Sequence, residues 1–252
     1  MSDPGRLAAR QVEFHENADA KRFHNRLANA FIAAKERRLA ARTAALVEGV
    51  SNPRILEIGC GEGSNLHYLS EALPGARLYG IDFSEGKTLF LRSAIGGAGL
   101  ACADCLALPF KDGAFDAILM RDLLHHVNWA REDAVAQAFR TLKPGGKIII
   151  FESCGRTALN RIFMALNPVE AGMMDSTPDS MRALGARYKD SRFDFAEASF
   201  LLRAVAYFLG WPSGPLRYPA LAAYYAIRAW EGLWERLAPK SAWVYMQLVI
   251  GK

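Results

Sequence analysis

Apolar and polar positions divide the chain into a regular middle and two less regular flanks. Between residues 19 and 49, Phe23, Leu27 and Phe31, then Leu39 and Leu46, recur at helical spacing among Ala, Lys and Arg. This predicts one or two helices ending near Gly49, with Ser51-Asn52-Pro53 as the breaker. Short apolar runs then alternate with helical stretches. Strands are expected over 54–58, 77–81, 100–103, 115–120 and 147–152, and helices over 65–72, 85–95 and 131–142. Pro74-Gly75, Lys111-Asp112-Gly113 and Pro144-Gly145-Gly146 punctuate them. That alternation predicts an α/β fold, a doubly wound parallel sheet with helices on both faces.

Beyond residue 152 the alternation stops. Residues 156–195, with Asn167-Pro168, Thr177-Pro178 and Met173-Met174, read as an irregular or short-helical insertion. A helix over 197–209, a short strand over 216–218, a helix over 220–237 and a last strand over 242–250 follow. The 220–237 helix gathers Ala223, Ile227, Trp230, Trp234 and Leu237 on one face, with Arg228, Glu231 and Glu235 largely opposite. Its apolar face could meet the core, a lipid or an apolar substrate. The two glutamates argue against an anionic membrane.

Composition adds boundaries to this picture. Of 252 residues, 51% are apolar and 23% charged, enough apolar content for a sizeable core. No run approaches the ~20 apolar residues of a membrane span, and the first residues carry no apolar signal region. Four scattered cysteines (Cys60, Cys102, Cys105, Cys154) do not make a disulfide framework. The expectation is a cytoplasmic protein without integral membrane association. The net charge of +5 comes from the flanks, residues 1–48 and 152–252, while the middle is slightly acidic. No dense Lys/Arg run suggests nucleic acid.

Candidate chemistry gathers at the ends of the predicted strands, where parallel sheets bind ligands. The first strand runs into Gly59-Cys60-Gly61-Glu62-Gly63, the second ends at Asp82 and the third at Asp104. A dinucleotide turn would have a third glycine where Ser64 stands, and Glu57 and Glu62 would repel a pyrophosphate. Carboxylates there suit a cationic cofactor, such as S-adenosylmethionine with its ammonium and sulfonium. Asp82 is placed to hold two ribose hydroxyls.

Five segments carry a resemblance in order and spacing: 55–63 (ILEIGCGEG), 79–84 (YGIDFS), 103–110 (Ala103-Asp104 through Leu108-Pro109-Phe110), 115–127 (FDAILMRDLLHHV) and 142–149 (LKPGGKII). Together they resemble the class I S-adenosylmethionine-dependent methyltransferases, in the group that includes ubiquinone and menaquinone biosynthesis enzymes. The resemblance implies a Rossmann-like, mostly parallel seven-stranded sheet in one domain. Within it, 1–49 forms an N-terminal helical cap, 50–155 the cofactor-binding core, 156–195 and 220–237 cap insertions, and 242–250 the last strand. It implies that Glu57, Gly59, Gly61 and Gly63 line the methionine part of the cofactor. Asp82 would hold the ribose, Phe83 the adenine face and Asp104 the adenine amino group, with Cys105 and Leu106 alongside. Arg121 would offer backbone, its guanidinium departing from the small or polar residue usual there.

Histidines His125-His126 follow the fourth predicted strand, where an acceptor would arrive. His126 is a candidate general base, needed only where the acceptor must lose a proton; a packing role competes. His15 and His24 could close over the cofactor or lie on the surface. Cys102 and Cys105 have no second pair at zinc-ligand spacing, so no metal is expected. The expected activity is methyl transfer to a small, apolar or aromatic acceptor, lipid-like ones included, with oxygen ahead of carbon. A catalytically silent cofactor-binding protein and a nicotinamide-dependent oxidoreductase are the alternatives.

Overall fold

The computed structural model describes residues 20–199, 201–202, 204–205 and 214–252. Two helices, α1 (Ala20–Ala28) and α2 (Ala30–Ala44), precede the sheet. Asn29 separates them and caps α2, its side-chain oxygen accepting from the amides of Phe31 (3.1 Å) and Ile32 (3.3 Å). Then come β1 (Arg54–Ile58), α3 (Ser64–Ala72), β2 (Arg77–Asp82), α4 (Glu85–Ala94), β3 (Gly99–Cys102), β4 (Phe115–Arg121), α5 (Arg131–Thr141) and β5 (Leu142–Ser153). The remaining elements are α6 (Ala158–Leu166), a 3₁₀ segment (Pro168–Asp175), α7 (Pro178–Gly185), β6 (Asp190–Glu197), α8 (Arg217–Leu237) and β7 (Tyr245–Gly251).

The seven strands form one sheet in the order β3-β2-β1-β4-β5-β7-β6. β1 to β5 are parallel, and β7 lies antiparallel between β5 and β6. The order reverses between β1 and β4, which opens a crevice past their carboxyl ends. Register decides what reaches it. Ile58 pairs with both Ile81 and Met120, and Asp82 with Cys102. The glycine turn, Asp82, Asp104 and Arg121 therefore share one edge of the sheet.

Strand residues alternate between two apolar layers. Leu56, Ile58, Ile118, Met120, Ile148 and Ile150 pack with Ala134, Val135 and Ala138 of α5 and with Met181 and Leu184 of α7. Ile55, Ala117, Leu119 and Ile149 face Leu39 and Ala40 of α2, Leu66 and Leu69 of α3 and Leu91 of α4. Glu57, two positions after Ile55, falls in this second layer and is fully buried.

The regular middle matches expectation to within a residue or two, except that β5 begins at Leu142. The flank differs more. Residues 190–195, expected within the insertion, belong to edge strand β6, which runs on to Glu197 and pairs with β7 from Asp190–Gly251 to Glu197–Tyr245. Arg192 and Asp194 alternating with Phe193 and Phe195 is a strand pattern, and charges on such an edge discourage pairing with other chains. Glu197 thus ends a strand and starts no helix. Residues 201–202 and 204–205 are helical, and the rest of the helix expected over 197–209 lies outside the described residues. The expected strand over 216–218 is absent. Gly214–Leu216 is a 3₁₀ turn leading straight into α8, whose first turn tolerates Pro219.

The faces of α8 meet expectation only in part: Ile227 and Trp234 pack against the core as expected, and other positions do not. Glu231 is buried beside Tyr224, while Trp230, Leu233 and Leu237 are exposed. The cause lies on α2. Lys35, itself buried, meets Glu231 at 2.9 Å and Glu197 at 3.9 Å, and donates to the Ser199 carbonyl at 2.8 Å. Glu231 also accepts from the Leu202 amide at 3.0 Å. A buried cation on another element turned this helix, and helical periodicity alone cannot register it. His24 is exposed, and His15 lies outside the described residues.

Candidate functional site

β1 ends in a turn held to β2. The amides of Gly59 and Cys60 both donate to the Ile81 carbonyl, at 2.8 and 2.9 Å. Gly59, Gly61 and Gly63 all have positive φ, at 75°, 51° and 80°. A Cβ on Gly63 would lie 2.0 Å from the Leu91 side chain, whereas one on Gly61 would meet nothing within 4 Å. Gly63 is therefore glycine for packing and for backbone, while Gly61 borders open space. The Gly61 amide donates to Asp82 Oδ2 at 2.8 Å, and the Ser84 amide to Oδ1 at 3.0 Å. Asp82 thus links the turn to the start of α4, and each carboxylate oxygen retains a lone pair.

Phe83 is exposed beside Asp82. Asp104 is exposed as well and accepts from the Leu106 amide at 2.8 Å, shaping the bend that carries Cys105 and Leu106. Burial, with Asp104 nearby, pushes the Cys105 thiol up to about 12, so it stays protonated. Cys102 is exposed and donates to the Phe83 carbonyl at 3.2 Å. All four cysteines are free thiols.

Beneath the turn runs a buried polar chain that sequence reasoning missed, apart from Glu57 and Arg121. Asn65, on the first turn of α3, donates to Glu57 Oε1 and accepts from Arg121 Nη1. The same guanidinium is paired through Nη1 with Glu36 Oε2 and through Nη2 with Glu36 Oε1 at 3.2 Å. Its Nε donates to Tyr245 Oη at 3.1 Å, and Tyr245 donates to Asp122 at 2.9 Å. Burial works against the Arg121 charge, but Glu36, Tyr245 and Asp122 together more than offset it and hold the group well above its usual value. Glu36, the one acid of α2, supplies a counter-charge to this buried guanidinium. Glu57 is the opposite case. Burial pushes its carboxyl up to about 8, against the pull of Asn65 and Arg121. Its Oε2 has no hydrogen-bond partner among the described residues.

The loop after β4 is organised by Glu152 at the end of β5. Glu152 Oε1 accepts from the amides of Leu123 (2.9 Å) and Leu124 (2.6 Å), and Oε2 lies 2.7 Å from His125 Nδ1. His125 Nε2 meets Glu170 Oε2 at 3.0 Å. Burial opposes a charge on His125, yet Glu152 and Glu170 hold it well above the usual imidazole range. His126 lies beside it, ring centroids 4.0 Å apart, with Nε2 3.9 Å from Glu170. It is half-buried, the more accessible of the two. Ligand atoms of His125, His126 and Glu170 lie within 4.8 Å of one another, the one such group among the described residues. Both nitrogens of His125 are taken by carboxylates, so a cation there would displace its bond to Glu170.

The 3₁₀ segment carrying Glu170 comes close because Gly172 has no side chain. A Cβ there would lie 2.0 Å from the His125 carbonyl oxygen. Gly172→Ala should therefore push the segment away, destabilise the fold by about 1–3 kcal/mol and lower the His125 pKa. Thermal unfolding and imidazole NMR titration read the two effects. An unchanged His125 titration would mean that Glu170 does not depend on this approach.

Residues 56–150 match the family described as Methyltransferase domain. Over 104 residues the chain is 38% identical to demethylmenaquinone methyltransferase of Thermus thermophilus, covering 39% of this chain and 46% of that protein. Over 173 residues it is 31% identical to ubiquinone/menaquinone biosynthesis C-methyltransferase UbiE of Geobacter sulfurreducens, covering 64% and 66%. The match thus spans about half of the first relative and just under two thirds of the second. Among solved structures, a SAM-dependent methyltransferase from Archaeoglobus fulgidus shares the fold, with a TM-score of 0.60 at 18% identity over 91% of this chain and 98% of that one. Residues 56–150 therefore carry a methyltransferase domain, and the chain is similar over that region to the ubiquinone and menaquinone biosynthesis methyltransferases.

Proposed function

We propose that this chain binds S-adenosylmethionine across the carboxyl ends of β1, β2 and β3 and transfers its methyl group to a small apolar or aromatic acceptor, oxygen ahead of carbon. The observation that carries the reading is Glu57. A fully buried carboxylate with one oxygen lacking a hydrogen-bond partner, under a glycine turn, is a site short of a cation. The cofactor's ammonium has the chemistry to supply it. Gly59, Gly61 and Gly63 let the backbone approach the methionine part, and Asp82 turns its remaining lone pairs to the ribose. Exposed Phe83 offers a face for the adenine and Asp104 an acceptor for its amino group, flanked by Cys105, Leu106 and the Arg121 backbone.

When bound, the cofactor supplies a methyl group already activated by its sulfonium. The protein then has to orient the acceptor and exclude water. For a hydroxyl acceptor, His126 takes the proton; His125, clamped as a cation between two carboxylates, cannot. The acceptor is held by a cap of α1 and α2, the segment 156–189 and α8. Relatives named for menaquinone and ubiquinone biosynthesis favour a lipid-like acceptor.

Calorimetry tests the cofactor and turnover with an acceptor panel tests the reaction. S-Adenosylmethionine and S-adenosylhomocysteine should bind, and nicotinamide dinucleotides should not; tighter dinucleotide binding would overturn the reading. Asp82→Ala should weaken cofactor binding by about 1.5–3 kcal/mol, the range for hydrogen bonds to a charged group. Cofactor binding without turnover of any acceptor would favour a catalytically silent protein. Amide exchange should slow within 156–189 when product cofactor and acceptor are both bound, more than with cofactor alone. The amides of β6 that pair with β7 should be protected in all three states, because their protection comes from the ladder and not from ligands.

A further inference from the structure

We propose that the outward face of α8 seats this protein on an anionic lipid surface, an attachment that goes beyond the methyl transfer proposed above. Five large apolar residues of this one helix, Tyr218, Tyr225, Trp230, Leu233 and Leu237, are 46–79% exposed. Helical periodicity puts them on one side, with exposed Ala222, Ala226 and Ala229 between them. The helix has 21 residues, about 30 Å of length. A continuous apolar stripe of that size is uncommon on a surface that meets only water. Trp230 stacks on half-buried Trp234, ring centroids 5.7 Å apart, so the stripe is braced from beneath.

Charge selects the occupant. In sequence, Glu231 and Glu235 set acidic groups on this helix. In the fold, Glu231 is buried against Lys35, and Glu235 is paired with Arg38 at 3.3 Å. The charges left to solvent on α8 and just after it are Arg217, Arg236 and Lys240, all basic. Tyrosine and tryptophan among apolar residues, bordered by cations, match the headgroup layer of an anionic bilayer. No described helix is long and apolar enough to cross a membrane, so α8 would lie in the surface plane. A second copy of this chain would bring the same cations face to face, which disfavours a dimer through this stripe.

The full chain should cosediment with vesicles of phosphatidylglycerol mixed with phosphatidylcholine, at least fivefold more than with phosphatidylcholine alone. High salt should weaken that binding. Trp230→Ser with Leu233→Ser should abolish it. Arg217→Glu with Arg236→Glu should abolish the preference for anionic vesicles. Thermal unfolding should stay cooperative, unchanged in the arginine variant and lowered in the Trp230 variant by no more than the lost stacking on Trp234. Cofactor calorimetry should also be unchanged, which keeps this test separate from that of the proposed function. Wild-type protein that ignores anionic vesicles, or variants that bind as well as wild type, would overturn the proposal. So would light scattering showing a dimer that the Trp230→Ser/Leu233→Ser variant dissolves.

Discussion

Arg121→Met should cost about 3–5 kcal/mol of folding stability, the range for breaking a buried ion pair from one side. Arg121 and Glu36 have side chains 4% and 1% exposed, so solvent does little to screen what is left behind. Glu36 would lose the guanidinium that faces it in the core, and Asn65 and Tyr245 would each lose a bond to it. Urea unfolding reads the loss directly. Adding Glu36→Gln should recover much of it, because the orphaned charge is then gone. A single-variant loss below about 1 kcal/mol would mean that water or a rearranged partner reaches Glu36, and that the pair does not organise this end of the sheet.

Cofactor affinity should rise with pH, by up to about tenfold per unit below pH 8, because only ionised Glu57 answers an ammonium. The sign follows from burial. With its pKa pushed up to about 8, Glu57 is mostly neutral at pH 7 in the free protein. Relative to the unfolded chain, its contribution to stability is fully present below the ordinary carboxylate range. That contribution is lost as pH rises through about 8. A bound cation reverses the preference, so binding near neutrality should release a proton. Calorimetry in buffers of different ionisation enthalpy counts that proton. Glu57→Gln should remove both the release and this part of the slope, and the difference between the two proteins is the quantity to compare. An identical slope would put the ammonium elsewhere and leave Glu57 as a partner of Asn65 only.

What could be read from the sequence divides along physical lines. From residue 54 to 142 each element is announced by a local signal, a short apolar run or a glycine turn, and structure and expectation agree closely. The glycine turn, Asp82 and Asp104 share one edge because parallel register puts strand ends together. Expectation failed where a partner far along the chain decided the outcome. Glu231 turned inward because Lys35 lies buried on α2, and Glu36 found Arg121 across 85 residues. Glu152 and Glu170 converge on His125 from β5 and the 3₁₀ segment, with nothing in their spacing to suggest it. The strand over 190–197 is different. Its alternation was visible in Arg192-Phe193-Asp194-Phe195, but it was absorbed into a segment read as an insertion.

The position of β7 bears on how this protein is made. Of the seven strands of the sheet, the one latest in chain order is interior, with β5 on one side and β6 on the other. Until residues 245–251 leave the ribosome, β5 has an open flank and β6 has no sheet to join. The nascent chain therefore presents adhesive backbone for as long as β7 is missing. A product truncated before residue 245 should be insoluble or degraded even though every residue of the cofactor crevice is intact. Tags or fusions placed after β7 would have to leave this strand free to slide between its two neighbours.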